Sequence, residues 1–218
     1  MSPVPPFPAP DSAARRLVDF MAFAEGLKRE LRHSWLSDGR RESVAEHSWA
    51  MALMALIAAP HLERPVDLAK ALKMILVHDL VEAAAGDVPV FEIGERKARK
   101  TERERAAIEE IRARLGAPVG EEIHALWHEF EDRRTDEARL AVALDNLEVQ
   151  LQHNLAPIGT WEPVEVDLVW TKMDRPCGHD RFLAAVAEAL KADAEAKLRA
   201  AGTDVDAAKA RLGLAAGR

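Results

Sequence analysis

Apolar residues recur along most of this chain at steps of three and four, the spacing of one face of an α-helix. Leu17, Phe20, Met21, Ala24 and Leu27 form the first such stripe and predict a helix from Asp11 to about Arg32, capped by Asp11 or Ser12. His33–Glu42, rich in Ser, Asp, Gly and Arg, reads as a loop. Ser43 and Glu46 have the spacing of a capping box, so a second helix opens there and runs to about Ala59, where Pro60 ends it. A third helix is expected from Asp67 to about Ala84, ahead of a loop marked by Gly86 and Pro89. The fourth, Gly94–Leu115, is densely charged, with Ile108, Ile111 and Leu115 as its apolar edge. Charge alternating at that spacing reads as a solvated face laced with i,i+4 pairs, with attraction of a phosphate as the second reading. Helix five, Val119–Asp132, carries Ile123, Leu126, Trp127 and Phe130; helix six, Thr135–Asn154, carries Leu140, Leu144, Leu147 and Leu151. After Gly159 and Pro163 a helical segment is expected over Val164–Met173, then a closing pair, His179–Ala201 and Val205–Leu212. No alternating strand pattern recurs, so the expected fold is all-α.

Composition agrees: 218 residues suit one domain with appendages, Gly totals only 11, and Tyr is absent. The formal net charge of −7 argues against a broad nucleic-acid surface. No apolar run approaches the roughly 18 residues of a membrane span; the longest, Trp49–Pro60, is flanked by charge. A single cysteine, Cys177, forbids an intrachain disulfide and fits a cytoplasmic location. Five prolines fall within residues 1–10, which read as an extended or disordered arm with no basic and apolar signal pattern.

The chemistry sits in acids and histidines spread over helices two, three and six. His78 and Asp79 are neighbours on a helix, about 100° apart, so both can lean toward one ion, and Glu82 is one turn beyond His78. Met74, Ile75, Leu76, Val77, Leu80 and Val81 surround the pair, and a carboxylate in apolar surroundings needs a cation or strong hydrogen bonds. His47 alone reads as a hydrogen-bonded core histidine, and Asp145 alone as a salt bridge within a bundle. Together, two imidazoles and two carboxylates on three helices make a mixed nitrogen and oxygen site for a divalent ion.

The order His…His-Asp…Asp resembles the signature of the HD-domain metal-dependent phosphohydrolases. The stretches ESVAEHSW (Glu42–Trp49), ILVHDLVEAAAGDVP (Ile75–Pro89), LWHEFED (Leu126–Asp132) and ALDNLE (Ala143–Glu148) look like the family's 5'-deoxynucleotidases, over about residues 15–155. The resemblance implies a core of helices over residues 11–160, with residues 161–218 as a helical extension packed on it and no chemistry assigned to that extension. It implies His47, His78, Asp79 and Asp145 as metal ligands, Glu82 and Asp87 as catalytic carboxylates, and Arg29 or Arg32 with Trp35 as nucleotide contacts. The implied substrate is a nucleoside 5'-monophosphate, and the implied assembly is a homodimer. Mn²⁺, Co²⁺ or Mg²⁺ suits a six-coordinate ion of this kind. Glu82 would take a proton from a water attacking phosphorus, and Asp87 would serve the departing 5'-oxygen. Two other functions remain open at this stage: hydrolysis of nucleoside triphosphates or alarmones, and a non-catalytic, metal-stabilised binding module. Glu148 reads as bracing the bundle or supporting the Asp145 helix, and His124, His128 and His153 read as exposed.

Overall fold

The computed structural model of the chain describes residues 12–89 and 92–214, so the proline-rich arm expected over residues 1–10 lies outside the described residues. Its elements are α1 (Ala13–Ala24), α2 (Gly26–Arg29), β1 (Leu31–Trp35), β2 (Arg41–Ser43), α3 (Val44–Ala58), α4 (Leu68–Val77), α5 (Glu82–Ala85), α6 (Glu95–Ala98), α7 (Lys100–Leu115), α8 (Val119–Asp132), α9 (Asp136–Leu155), α10 (Pro163–Leu168), α11 (Asp174–Cys177), α12 (Arg181–Ala200) and α13 (Val205–Arg211). Among the described residues no helix is long and apolar enough to cross a membrane.

The bundle is organised around α9, which packs against α3, α4, α8 and α12. Its stripe of Leu140, Leu144 and Leu147 is buried, and so are Ala141 and Ala143 on its other faces, because neighbours cover it nearly all round. Thr135 caps it, its Oγ1 accepting from the Ala138 N–H at 3.2 Å. The expected capping box at α3 is present: the Glu46 N–H donates to Ser43 Oγ at 3.3 Å and Glu46 Oε2 accepts from the Ser43 N–H at 2.9 Å. On α7, Ile108 and Ile111 are buried while Arg112 pairs with Glu109 and Arg114 with Glu110, as its charge pattern implies. Gly120 of α8 lies against the end of α7 so closely that a Cβ there would overlap the Arg112 carbonyl oxygen.

Three departures from the sequence reading shape the site. The helix expected through Arg32 ends at Arg29, and the loop expected over His33–Glu42 is an antiparallel hairpin pairing Leu31 with Ser43 and Trp35 with Arg41. Its turn bonds Leu36 and Arg40 and places Gly39 at φ 87°, a conformation glycine adopts at no steric cost. Cross-strand pairing takes the backbone groups from Leu31 onward, so local helix propensity loses there. Gly26 begins α2 so close to α5 that a Cβ on it would lie 3.3 Å from Ala83.

The second departure is a break in the helix expected from Asp67 to Ala84. It ends at Val77, and residues 78–81 tighten into i→i−3 bonds, Leu80 N–H to Val77 O at 3.1 Å and Glu82 N–H to Asp79 O at 2.9 Å. At three residues per turn, positions i and i+3 eclipse, so Asp79 and Glu82 share an azimuth. The third is that the helix expected over Val164–Met173 is the shorter α10, followed by the separate α11. Leu183, Ala187 and Leu190 of α12 belong to the main core, whereas Ala194 and Leu198 join Val169, Trp170, Val205 and Ala208 in a separate apolar cluster.

Candidate metal centre and its cleft

α3, the turn after α4, and α9 bring His47, His78, Asp79 and Asp145 to one point. His47 is fully buried, and its Nε2 lies 3.3 Å from Asp145 Oδ1 and 3.9 Å from Asp79 Oδ2. His78 Nε2 lies 3.1 Å from Asp79 Oδ2. The ligand atoms of His47, His78 and Asp145 all fall within 4.8 Å of one another. The far nitrogen of each ring is engaged: His78 Nδ1 meets the Ile75 carbonyl at 2.7 Å, and His47 Nδ1 meets Glu148 Oε2 at 2.5 Å. A carbonyl only accepts, so His78 Nδ1 donates and its Nε2 carries the lone pair. Both Nε2 atoms are buried without a hydrogen-bond partner. Paired, oriented imidazoles whose lone-pair nitrogens face two carboxylates fit a divalent ion, with Glu148 and Ile75 supplying the outer hydrogen bonds such ligands require.

The electrostatics agree. Burial and Arg32 act to lower the His47 pKa, but Glu148 and Asp145 outweigh them and raise it to about 10. The carboxylates thus demand a cation at this point, a proton or a metal ion. Burial would raise the Asp145 carboxyl, yet the facing His47 brings it to about 2. Asp79 is likewise held well below the usual carboxylate range, as His78 and Arg32 overcome burial. Arg32 bridges to the layer behind, with Nη1 donating to Asp79 Oδ2 at 3.1 Å and Nε 3.5 Å from Glu42 Oε2. Glu42 and Glu148 also cluster with His47, and burial, with Glu148 adding, lifts the Glu42 pKa to about 8.

A cleft of about 510 Å³, within the range of small-molecule sites, is lined by Asp79 and Asp145, with the two histidines buried behind them. Glu82 and Asp87 line it. Glu82 is 4% exposed, and burial, reinforced by Asp79 and Asp87, pushes its carboxyl well above the ordinary value. Burial and Asp79 likewise raise Asp87 against the pull of Arg32. Carboxyls raised in this way hold a proton more readily than solvated acids do.

Of the nucleotide-contact candidates, Arg32 lines the cleft, Arg29 stands exposed on α2 with Glu25 3.7 Å away, and Trp35 is absent from the cleft lining, its ring under the Arg41 guanidinium at 5.1 Å. Several cleft residues escaped the sequence reading. Lys100 belonged to a charge run that reads as solvated, but it faces Glu82 and Asp79. His153, expected to be exposed, is largely buried beside Glu165 at 3.3 Å, and burial with His33 lowers its pKa to about 4. Glu165 and Lys172 come from the extension to which no chemistry was assigned, and no periodicity marks them. Glu148, read as bracing the bundle or supporting the Asp145 helix, meets His47 of α3 from α9.

A family model described as HD domain matches residues 24–175, reaching past the stretch legible as a resemblance. A 5'-deoxynucleotidase HDDC2 of Xenopus laevis is 33% identical over 144 residues, 65% of this chain and 69% of that protein. The protein of the same name from Dictyostelium discoideum is 38% identical over 62% of this chain and 74% of its own length. Among solved structures, one described as a metal-dependent phosphohydrolase from Magnetospirillum magnetotacticum superposes with a TM-score of 0.73 at 34% identity, covering 96% of this chain and 99% of that one. The PH0347 protein of Pyrococcus horikoshii gives 0.54 at 26% identity over 78% and 98%.

Proposed function

The chain belongs to the HD-domain family, and on that premise we propose that it is a metal-dependent phosphomonoesterase cleaving nucleoside 5'-monophosphates, deoxynucleotides among them, to nucleoside and orthophosphate. The observation that carries this reading is the pair of buried Nε2 atoms facing Asp79 and Asp145, two carboxylates that line a cleft also holding two carboxyls with raised pKa.

His47, His78, Asp79 and Asp145 would hold the ion, and two nitrogens with two carboxylates suit Mn²⁺, Co²⁺ or Mg²⁺. When bound, the ion supplies charge against a phosphate oxygen and lowers the pKa of a water. Arg32, always charged and anchored by Asp79, presents its guanidinium to the phosphate. Glu82 takes the proton of the attacking water as the new P–O bond forms. Asp87 returns a proton to the 5'-oxygen as the P–O5' bond breaks, so nucleoside and orthophosphate leave with charge balanced. The raised pKa makes the Glu82 carboxylate a stronger proton acceptor, and it leaves the Asp87 carboxyl more often protonated and so able to donate.

A panel of nucleotides assayed with added Mn²⁺ or Co²⁺ tests this. Orthophosphate release from monophosphates, lost in Asp79→Ala, is the expected result. Release of pyrophosphate or triphosphate would instead favour a polyphosphate substrate, and metal-dependent thermal stabilisation without any turnover would favour a binding module.

We further propose a homodimer. Trp49, Leu53 and Leu56 form an outward stripe on α3, Trp49 being 66% exposed, and apolar surface of this kind marks interfaces. A monomer mass in light scattering would overturn it.

A further inference from the structure

Of the cations lining the cleft, Arg133 and Arg175 stand exposed and three others have partners. Arg32 is held by Asp79 and Glu42, Lys100 lies 3.3 Å from Glu104, and Lys97 donates to the Pro89 carbonyl at 3.4 Å. Lys172 lines the same cleft, half-buried, between α10 and α11. Among the described residues it has no hydrogen bond and no carboxylate within the 4.0 Å of an ion pair. Its strongest attraction is to Asp145, followed by Glu165, and Arg32 and Lys100 repel it. A half-buried ammonium without an acceptor favours an anionic ligand, and the cleft of about 510 Å³ that it lines together with Asp79 and Asp145 is large enough to hold one.

We propose that Lys172 is a phosphate-gripping residue, binding the substrate's dianionic phosphate in the cleft that it lines together with Arg32 and Lys100. The inference rests on the monoesterase reading. It makes the segment over residues 163–177 part of the active site rather than packing alone. A phosphate monoester carries about −1.5 to −2 charge at neutral pH, which supplies the acceptor that Lys172 lacks. Lysine suits the position, being a compact point charge on a flexible stem that can follow the phosphate. Lys172 takes and gives no proton in the reaction.

Lys172→Met keeps the stem and removes the charge; Lys172→Arg keeps the charge. With the full-length protein, inorganic phosphate binding is measured by calorimetry, and KM and kcat are measured for a nucleoside monophosphate and for p-nitrophenyl phosphate. The Met variant is expected to weaken inorganic phosphate binding and raise KM for both esters by roughly tenfold or more, the worth of one charge-assisted hydrogen bond. The Arg variant should recover much of both losses, and melting temperatures should match the wild type. Unchanged phosphate affinity in a folded Met variant overturns the proposal, as does a loss confined to the nucleotide, which would place Lys172 against the nucleoside. If the wild type binds phosphate but cleaves no monoester, the monoesterase reading fails and the phosphate-binding comparison still decides the role of Lys172.

Discussion

Glu148→Gln tests how the metal centre is held. In the native protein Glu148 Oε2 meets His47 Nδ1 at 2.5 Å, with both side chains buried. The carboxylate selects the tautomer that leaves Nε2 free, raises the basicity of the ring and fixes its orientation toward Asp145. Glutamine has nearly the same shape but no charge, and its amide can still accept from Nδ1. The substitution therefore exchanges a charge-assisted bond, worth about 1.5–3 kcal/mol, for a neutral one worth about 0.5–1.5 kcal/mol. Comparable outer-shell losses lower metal affinity by about 10–100-fold. At a free metal concentration of about 100 times the native Kd, the ion stabilises the fold by about 2.7 kcal/mol; a thirtyfold weaker site retains only about 0.9 kcal/mol. The assay is competition against a chromophoric chelator, paired with urea midpoints with and without metal. A Gln variant within about twofold of native affinity, with an undiminished metal-dependent rise in midpoint, would refute the claim that Glu148 orients His47.

Gly120→Ala should lower stability by about 1–3 kcal/mol, because the added methyl meets the backbone carbonyl of Arg112 rather than a movable side chain, and a shift in urea midpoint at constant slope reads it out. Thr135→Ala removes the cap of α9 and should cost about 1 kcal/mol, with Thr135→Ser restoring most of it in the same assay. His153 is buried with its pKa lowered to about 4, so between there and its unfolded value near 6.5 the unfolded chain binds more protons; stability should fall as pH drops through that window, by on the order of 3 kcal/mol. Urea midpoints at pH 7.5 and 5 should therefore differ less in His153→Gln than in the wild type, and an equal difference would show that this imidazole is not the cause.

Local pattern determined much of this protein on its own. The leucine stripe of α9 and the apolar edge of α8 lie within one residue of the boundaries their periodicity implies, because each helix buries a face whose spacing is written into a single stretch. The Ser43–Glu46 box needs only residues three apart and is legible for the same reason. The histidines and aspartates later found together stood out because polar groups in apolar runs demand partners.

What tertiary structure decided lies between distant stretches. The hairpin over β1 and β2 overrode a plausible helix end once its backbone groups found each other. The tightened turn over residues 78–81 aligned Asp79 with Glu82 where a continuous helix would have aligned His78 with it. Arg32 rather than Arg29 faces the cleft because that strand carries it inward. Glu148 reaches His47 across 101 positions, and the wall with Lys172 folds back from a segment carrying no periodic signal. Side-chain spacing encodes which face of an element is apolar; it does not encode which other element will cover that face, and the cleft exists only where those pairings meet.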